Sequence, residues 1–574
     1  MERLIVKRQI TYSCVFPNGN DQLEELIKII PSKSAIAWLS YLLLKKDLET
    51  KDQNDFQFLY SLLFNMNAKL QREISDYLQF ISSELTQYTF IDRPSLLILI
   101  EYILENHNDS DVQVLESKDD FSNLFIAYLI CCDERIKYLS QDLLTIKDAE
   151  SQVLHHLPEQ LKINDIIYPK DYRVEFIRFY YFMIFCKEDL DFREYLKIFL
   201  QENKIEKWED YLYFVFTTYL KNVTNEEGAS NLIQVDPYKY FGKKFLDSMS
   251  IDLKEFKRTS DFIGLRSKPV YYHGNDLYSV ISFKFFIDKM YQGLLFDFSS
   301  ILKNIGDKKV ANYGNLKQLV GERFTEDYLF YEIMQGCFSK KYKKLISGKI
   351  LKEHLGEGEP DFYIRNGKNI FLFEFKDVML NAKTKYCGDL KQIKFDFFQN
   401  YELATIEKST GKKKNKPSPK GITQLLNVLE NYLNNIIQKE DRIEIIDQLN
   451  VYPIIVYTDP SFDIEGFNYW LGNRFEELKQ KRVISNDYLV KECVMIPLEI
   501  LIKLEDYFND GRLQLSNLID GYIIERKKSE QNKLLPFRKY VMRQARLTGY
   551  NENMSSRFEE ILGTFLKREK KEKV

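Results

Sequence analysis

The chain has 574 residues, 44% of them apolar and 29% charged, with a net charge of −3. That length accommodates about two to four domains, and the composition supplies material for large cores, which excludes a disordered or low-complexity chain. The near-neutral balance gives no global basic field, so any contact with nucleic acid has to come from a local patch.

The opening segment MERLIVKRQITYSC lacks the apolar stretch of a signal peptide. The longest apolar run, Leu124–Cys132, is nine residues, against the roughly 20 needed to cross a bilayer. The seven cysteines include no CxxC pair and read as buried reduced thiols. The expectation is a cytoplasmic protein without a membrane segment.

Residues 1–260 are predicted to be a large all-helical array. In SAIAWLSYLLLKKDL and RVEFIRFYYFMIFCKEDLDFREYLKIFL, apolar residues recur every three or four positions. The texture changes in 261–312, where Gly274-Asn275-Asp276 provides a turn between tyrosine-rich flanks and a hairpin followed by a helix is expected. Over 313–490 helix and strand patterns alternate. GERFTEDYLFYEIMQGCF reads as helix and KKLISGKIL as strand. DFYIRNGKNIFLFEFKD reads as two strands around Arg365–Asn369. GITQLLNVLENYLNNIIQ reads as helix and YPIIVYTD as a buried strand. Strands joined by crossover helices predict a mixed sheet covered by helices. Residues 491–574, beginning near MIPLEILIKLEDYF, read as a helical extension with a charged tail.

The segment FLFEFKD, Phe371–Asp377, places charge inside an apolar strand. Side chains alternate faces along a strand, so Glu374 and Lys376 share one face and Phe373 and Phe375 the other. Unpaired charge there is costly, so the pair requires partners. A hairpin about the 365–369 turn brings Asp361, at the start of the preceding strand, beside Glu374. Hard carboxylate oxygens suit Mg²⁺, with Mn²⁺ as a substitute, and a neighbouring lysine suits phosphodiester chemistry. A second EFK at Glu255–Lys257 lies among polar residues and reads as a solvated segment. EFK alone therefore specifies nothing.

Pro360-Asp361 with Glu374-Phe375-Lys376 thirteen positions on resembles the PD-(D/E)XK nuclease superfamily. The resemblance covers about 150 residues of the chain and implies a restriction-endonuclease-like αβββαβ core within a mixed α+β and α/β fold. It implies Asp361 and Glu374 as metal ligands and Lys376 as a catalytic residue. An acid on the first core helix completes such sites, from among Glu322, Glu326 and Glu332, with Glu326 favoured. Gln424 on the following helix resembles the family's glutamine. The usual tyrosine is displaced, because Tyr432 lies eight positions beyond Gln424. The implied function is a metal-dependent endonuclease acting on DNA, with layouts of this kind found in bacterial restriction and anti-phage defence, and with a partner protein or homo-oligomer helping to select the target. The alternatives are an inactive nuclease-fold scaffold and an RNA-directed toxin.

The stretch 408–421 carries six lysines. It reads as a mobile solvated loop or as an arm that neutralises phosphates, with Lys420 best placed. Glu357 and Glu359 read as solvated loop charges, with contact to the metal as the alternative. The five histidines lack zinc-ligand spacing, and no phosphate-binding P-loop signature occurs.

Overall fold

The computed structural model describes residues 8–48, 59–60, 62–108, 115, 117–136, 149–223, 228–235, 240–386, 388–406, 413–444, 447–551 and 556–572. The fold is mixed α/β. The chain forms two compact units, each discontinuous in sequence. One comprises Met1–Gln141, Ile166–Phe176 and Asn203–Asp297; the other comprises Asp142–Asp165, Ile177–Glu202 and Phe298–Val574. The second unit thus draws two segments from within the 1–260 stretch. Among the described residues no single helix is long and apolar enough to cross a membrane.

In the first unit the helices Ser32–Leu48, Arg93–Glu105 and Lys118–Ile136 surround a core that includes Leu39, Leu43, Leu97, Ile100, Leu124 and Tyr128. Each fully buried side chain of this size contributes about 1.5–3 kcal/mol. The region is not all helical, contrary to the sequence expectation. Arg8–Gln9 pairs in parallel with Tyr88–Thr89, and Leu232–Gln234 adds a third strand to the expected hairpin of Val270–Gly274 and Leu277–Val280. Strands of two or three residues are too short to show a two-residue alternation. The hairpin turn is as the sequence implies: Asn275 and Asp276 have φ of 51° and 57°, the left-handed pair that a tight hairpin requires.

The second unit is built on a six-stranded sheet. Helix α1 runs through Tyr313–Val320, a π-wound segment Gly321–Phe330, and Tyr331–Phe338. Strand β1 is Lys344–Ser347 and helix α2 is Gly348–Leu355. Strands β2 (Phe362–Asn366) and β3 (Asn369–Lys376) form the hairpin. Helix α3 (Leu390–Tyr401) precedes a separate ribbon of β4 (Leu403–Ile406) and β5 (Lys413–Pro419). Helix α4 starts at Ile422–Asn427 and ends with Ile436–Asp441. Strand β6 is Leu449–Tyr457, α5 is Phe467–Lys479, β7 is Tyr488–Val490 and β8 is Val494–Pro497.

Strands β1, β2 and β3 are antiparallel neighbours. Strand β3 pairs with β6 in parallel from Asn369↔Asn450 to Lys376↔Tyr457, and β6 also pairs in parallel with β7 and β8. Both faces of β3 and β6 are covered, which is why they read as continuous apolar runs rather than alternating ones. On one face Leu372, Ile370 and Val451 join Leu425, Leu429 and Phe475 in a common core. On the other, Phe330 of α1 packs on Phe373 and Phe375 at ring-centroid distances of 6.4 and 4.7 Å.

Three expectations need correction here. The run KKLISGKIL is strand only as far as Ser347. The Ser347 hydroxyl accepts from Ile350 N at 3.5 Å and starts α2, as a serine at a helix N-cap does. The run MIPLEIL opens as strand β8, ends at Pro497, and only then becomes the helix Leu498–Lys503. The lysine-rich stretch is not simply a loop: Lys413–Pro419 forms the paired strand β5, and Lys420 and Gly421 follow it. Lys408 and Lys412 lie outside the described residues.

Candidate active site

The hairpin turn fixes the site. Asn366 pairs with Asn369, and Gly367, first of the two turn residues, has φ of 62°, which glycine adopts at little cost. This sets the register in which Phe362 faces Phe373. One step further, Asp361 arrives at the end of β3, where its Oδ2 accepts from Phe375 N at 2.6 Å. Gly348 closes the other side. Its N donates to Asp361 O at 2.8 Å, and a Cβ there would stand 2.8 Å from Pro360 O.

Glu374 and Lys376 project to the α4 side and form an ion pair through Glu374 Oε1 and Lys376 Nζ, both side chains almost fully buried. Lys376 Nζ also donates to Gln424 Oε1 at 3.1 Å, and the same oxygen accepts from Gly421 N at 3.1 Å. Gln424 is thereby oriented with its amide nitrogen left over. Glu374 Oε2 is buried with no hydrogen-bond partner among the described residues. A buried carboxylate oxygen without a donor is expensive to maintain.

Burial, followed by the charge on Asp361, pushes Glu374 up to about 8. Burial also raises Asp361, against the opposing pull of Lys376. Glu326 on the π-wound part of α1 is raised first by burial and then by the charge on Asp361, with Lys376 and Glu374 also within its electrostatic reach. For Lys376, burial pulls downward, but Glu374 and Asp361 outweigh it and the amine sits above its ordinary value. Lys420 is lowered by burial and then by repulsion from Lys376. Three carboxylates and two amines thus share one field.

Of the three candidate glutamates on α1, only Glu326 faces this cluster. Glu322 is exposed and accepts from Gln318 at 2.9 Å. Glu332 lies in the field of Tyr181 and Glu505. Glu359 accepts from its neighbour Gly358 N at 2.8 Å, and Glu357 is exposed and 3.7 Å from Lys352. Tyr432 does not join the acids. Its hydroxyl donates to Gly356 O and its ring packs on Gly358, so it braces the loop that leads to Asp361. Glu255 and Lys257 are exposed and lie outside helices and strands.

Sequence reasoning missed Asp377. It lies on the face opposite Glu374, is largely enclosed, and accepts from Lys317 Nζ at 2.6 Å, Thr325 Oγ1 at 3.0 Å and Thr458 Oγ1. These donors outweigh the cost of burial and hold its pKa below the usual value. Because Thr325 precedes Glu326, Asp377 ties the end of β3 to the turn of α1 that carries the third acid. The third charge in E-F-K-D was a visible signal.

Asp361, Glu374 and Glu326 form a hard oxygen set, and the orphaned Glu374 Oε2 is the atom a cation would satisfy. Among the described residues no three acids, histidines or cysteines stand in ready metal-ligand geometry. Lys376 and Phe375 N instead occupy one oxygen each of Glu374 and Asp361. The donor chemistry fits a divalent ion, in an arrangement closed by the lysine. Family models, curated proteins and solved structures give no significant match to this chain.

Proposed function

We propose that the protein is a metal-dependent nuclease with a restriction-endonuclease-like core that hydrolyses phosphodiester bonds, with DNA as the first substrate to test. The reading rests on one observation. Asp361, Glu374 and Lys376 meet at a single rim of the β2–β3 hairpin, with Glu326 facing them and one glutamate oxygen left without a partner. The order α1, β1, β2, β3, α4, β6, with β6 parallel to β3, supports it.

Mg²⁺, or Mn²⁺ in its place, would be held by Asp361, Glu374 and Glu326, and would supply charge neutralisation at phosphorus and acidification of water. The rest of the chemistry belongs to the chain. Glu374 and Asp361 hold the Lys376 amine above its ordinary value despite burial. As a cation it would face the phosphate oxygens. Gln424, oriented by Gly421 N and Lys376, presents its amide nitrogen to a phosphate oxygen or to the attacking water. The β5 lysines provide charge for sequence-independent phosphate contacts.

The test is cleavage of plasmid, single-stranded DNA and RNA with Mg²⁺, with Mn²⁺ and with chelator, using wild type and Lys376→Ala. Metal-dependent cleavage lost in the variant is the expected result. No cleavage of any substrate with either metal would sink the reading. The closed ion pair favours a second reading, a nucleic-acid-binding scaffold without turnover, which would appear as binding of the same substrates with no product.

A further inference from the structure

The first unit contains a cavity of about 400 Å³ in which four basic side chains, Lys46, Arg93, Lys170 and Lys284, outnumber two acids, Asp47 and Asp92. The volume lies in the range of small-molecule sites, about 300–1,000 Å³. Part of this charge is already offset: Lys170 pairs with Asp288, and Lys284 Nζ lies 3.9 Å from Asp47 and donates to Ile167 O at 3.1 Å. Asp92 is engaged as the cap of the helix that starts at Arg93, accepting from Ser95 N at 2.9 Å, and also pairs with Arg135 at 2.7 Å. Asp47 pairs with Arg93. Each partner of that pair keeps an unsatisfied buried atom among the described residues: Nη1 of Arg93, a donor, and Oδ2 of Asp47, an acceptor. Arg93 is 6% exposed. An enclosed guanidinium with an unused N–H is costly unless something completes it.

A donor and an acceptor left open side by side specify a ligand with both characters. An anion alone would satisfy Arg93 and be repelled by Asp47. A ligand with a phosphate for the cations and a hydroxyl for the carboxylate satisfies both, and a nucleotide's phosphate and ribose hydroxyl are such a pair. The 13-residue helix Arg93–Glu105 begins at the cavity wall, so its positive end adds to the field. Tyr219 and Phe283, whose rings meet edge-on at 5.9 Å, provide an apolar aromatic wall for a base.

We propose that this cavity is a binding site for a nucleoside phosphate, separate from the candidate active site and independent of the nuclease reading. Phosphate would take Arg93, Lys170 and Lys284, and a ribose hydroxyl would take Asp47. The ligand's source is either a free nucleotide or the phosphorylated end of a nucleic-acid chain.

The experiment uses the full chain, with calorimetric titration and thermal melting against ADP, inorganic pyrophosphate and a 5′-phosphorylated tetranucleotide. The variants are Arg93→Gln, Lys46→Glu and Lys284→Gln. ADP is expected to bind with Kd below about 100 µM, tighter than pyrophosphate, and to raise the Tm. Lys46→Glu and Lys284→Gln should each weaken it roughly tenfold, about 1.4 kcal/mol. Should Arg93→Gln fail to fold, those two variants carry the test. Binding of the tetranucleotide in place of ADP, with the same dependence on the variants, supports the site and assigns the source to a chain end. No binding of any probe at about 1 mM, affinities unchanged in both lysine variants, or neither ADP nor the tetranucleotide binding tighter than pyrophosphate would overturn the proposal.

Discussion

Glu255-Phe256-Lys257 and Glu374-Phe375-Lys376 have the same three letters and opposite environments. The first has both charges in solvent and lies outside helices and strands. The second ends a strand covered on both faces, and its two charges face each other, Gln424, Lys420 and the acids of neighbouring elements. In water such a pair is worth about 0–1 kcal/mol. Enclosed, the same pair has to repay desolvation of both ions, which a hydrophobic pair of the same size would not incur. A tripeptide thus acquires meaning from the strand that carries it, and the energetic cost of the second copy is the reason to look for its use.

The comparison breaks most decisively through activity. Asp361→Ala, Glu374→Ala and Lys376→Ala should each lower metal-dependent cleavage by on the order of a thousandfold or more with an intact fold by circular dichroism. A loss of similar size in Glu255→Ala would destroy the distinction between the copies.

Glu101 sharpens the comparison, because it is a buried carboxylate outside the candidate site. Burial pushes it up to about 8, its Oε1 has no hydrogen-bond partner among the described residues, and its Oε2 accepts only a long 3.4 Å bond from Thr259 N. A carboxyl raised in the fold binds its proton more tightly folded than unfolded. Its effect on stability is therefore absent below the ordinary carboxylate value, grows as a cost while the pH rises toward 8, and is complete above it. Glu101→Gln should stabilise the protein at pH 9 by on the order of a few kcal/mol and leave it unchanged at pH 4. Denaturant melts at both values check this, and an equal change at both would mean that the glutamate is not charged there at high pH.

Gly348→Ala should cost about 1–3 kcal/mol, since its methyl group would meet the backbone at Pro360 and Asp361. Cleavage should fall with it, because the same contact positions Asp361, and an unchanged cleavage rate would show that the carboxylate is held without Gly348. The smallest expected effect is at the first copy. Lys257→Ala should stay within about 0.5 kcal/mol in stability and within twofold, about 0.4 kcal/mol, in activity.

Much of the hairpin was legible before the fold was known. Asn366-Gly367 marked the turn, the alternation about Phe373 and Phe375 marked the faces, and the spacing from Asp361 to Glu374 followed from the register. Glu326 could be preferred over Glu322 and Glu332 only by resemblance, because Phe324-x-Glu326 before an apolar run is similar to the superfamily's usual pattern. What escaped has physical causes. Leu232–Gln234 and Val494–Pro497 are strands because of their partners across the sheet, not because of an internal pattern. Ser347 could serve equally as strand residue or helix cap, and tertiary pairing decided where one ended. Residues 413–419, read as a loop or a flexible arm for their charge, are solvated as expected at their lysines but pair through their backbone with β4. The role of Asp377 depends on Lys317, Thr325 and Thr458, which converge only in the folded chain.

The discontinuity of the two units has a practical consequence. The helices around residues 177–202 are part of the unit that holds the candidate active site: Asp189 and Asp191 both pair with Arg323, and Phe182 and Phe185 pack on Phe324, three and two residues before Glu326. A fragment beginning at residue 298 would keep every proposed ligand and lose the scaffolding behind one of them. Dissection of this protein by truncation would therefore report a loss of the proposed activity for reasons unrelated to chemistry, and circular permutation or point substitution is the sounder route to separating its halves.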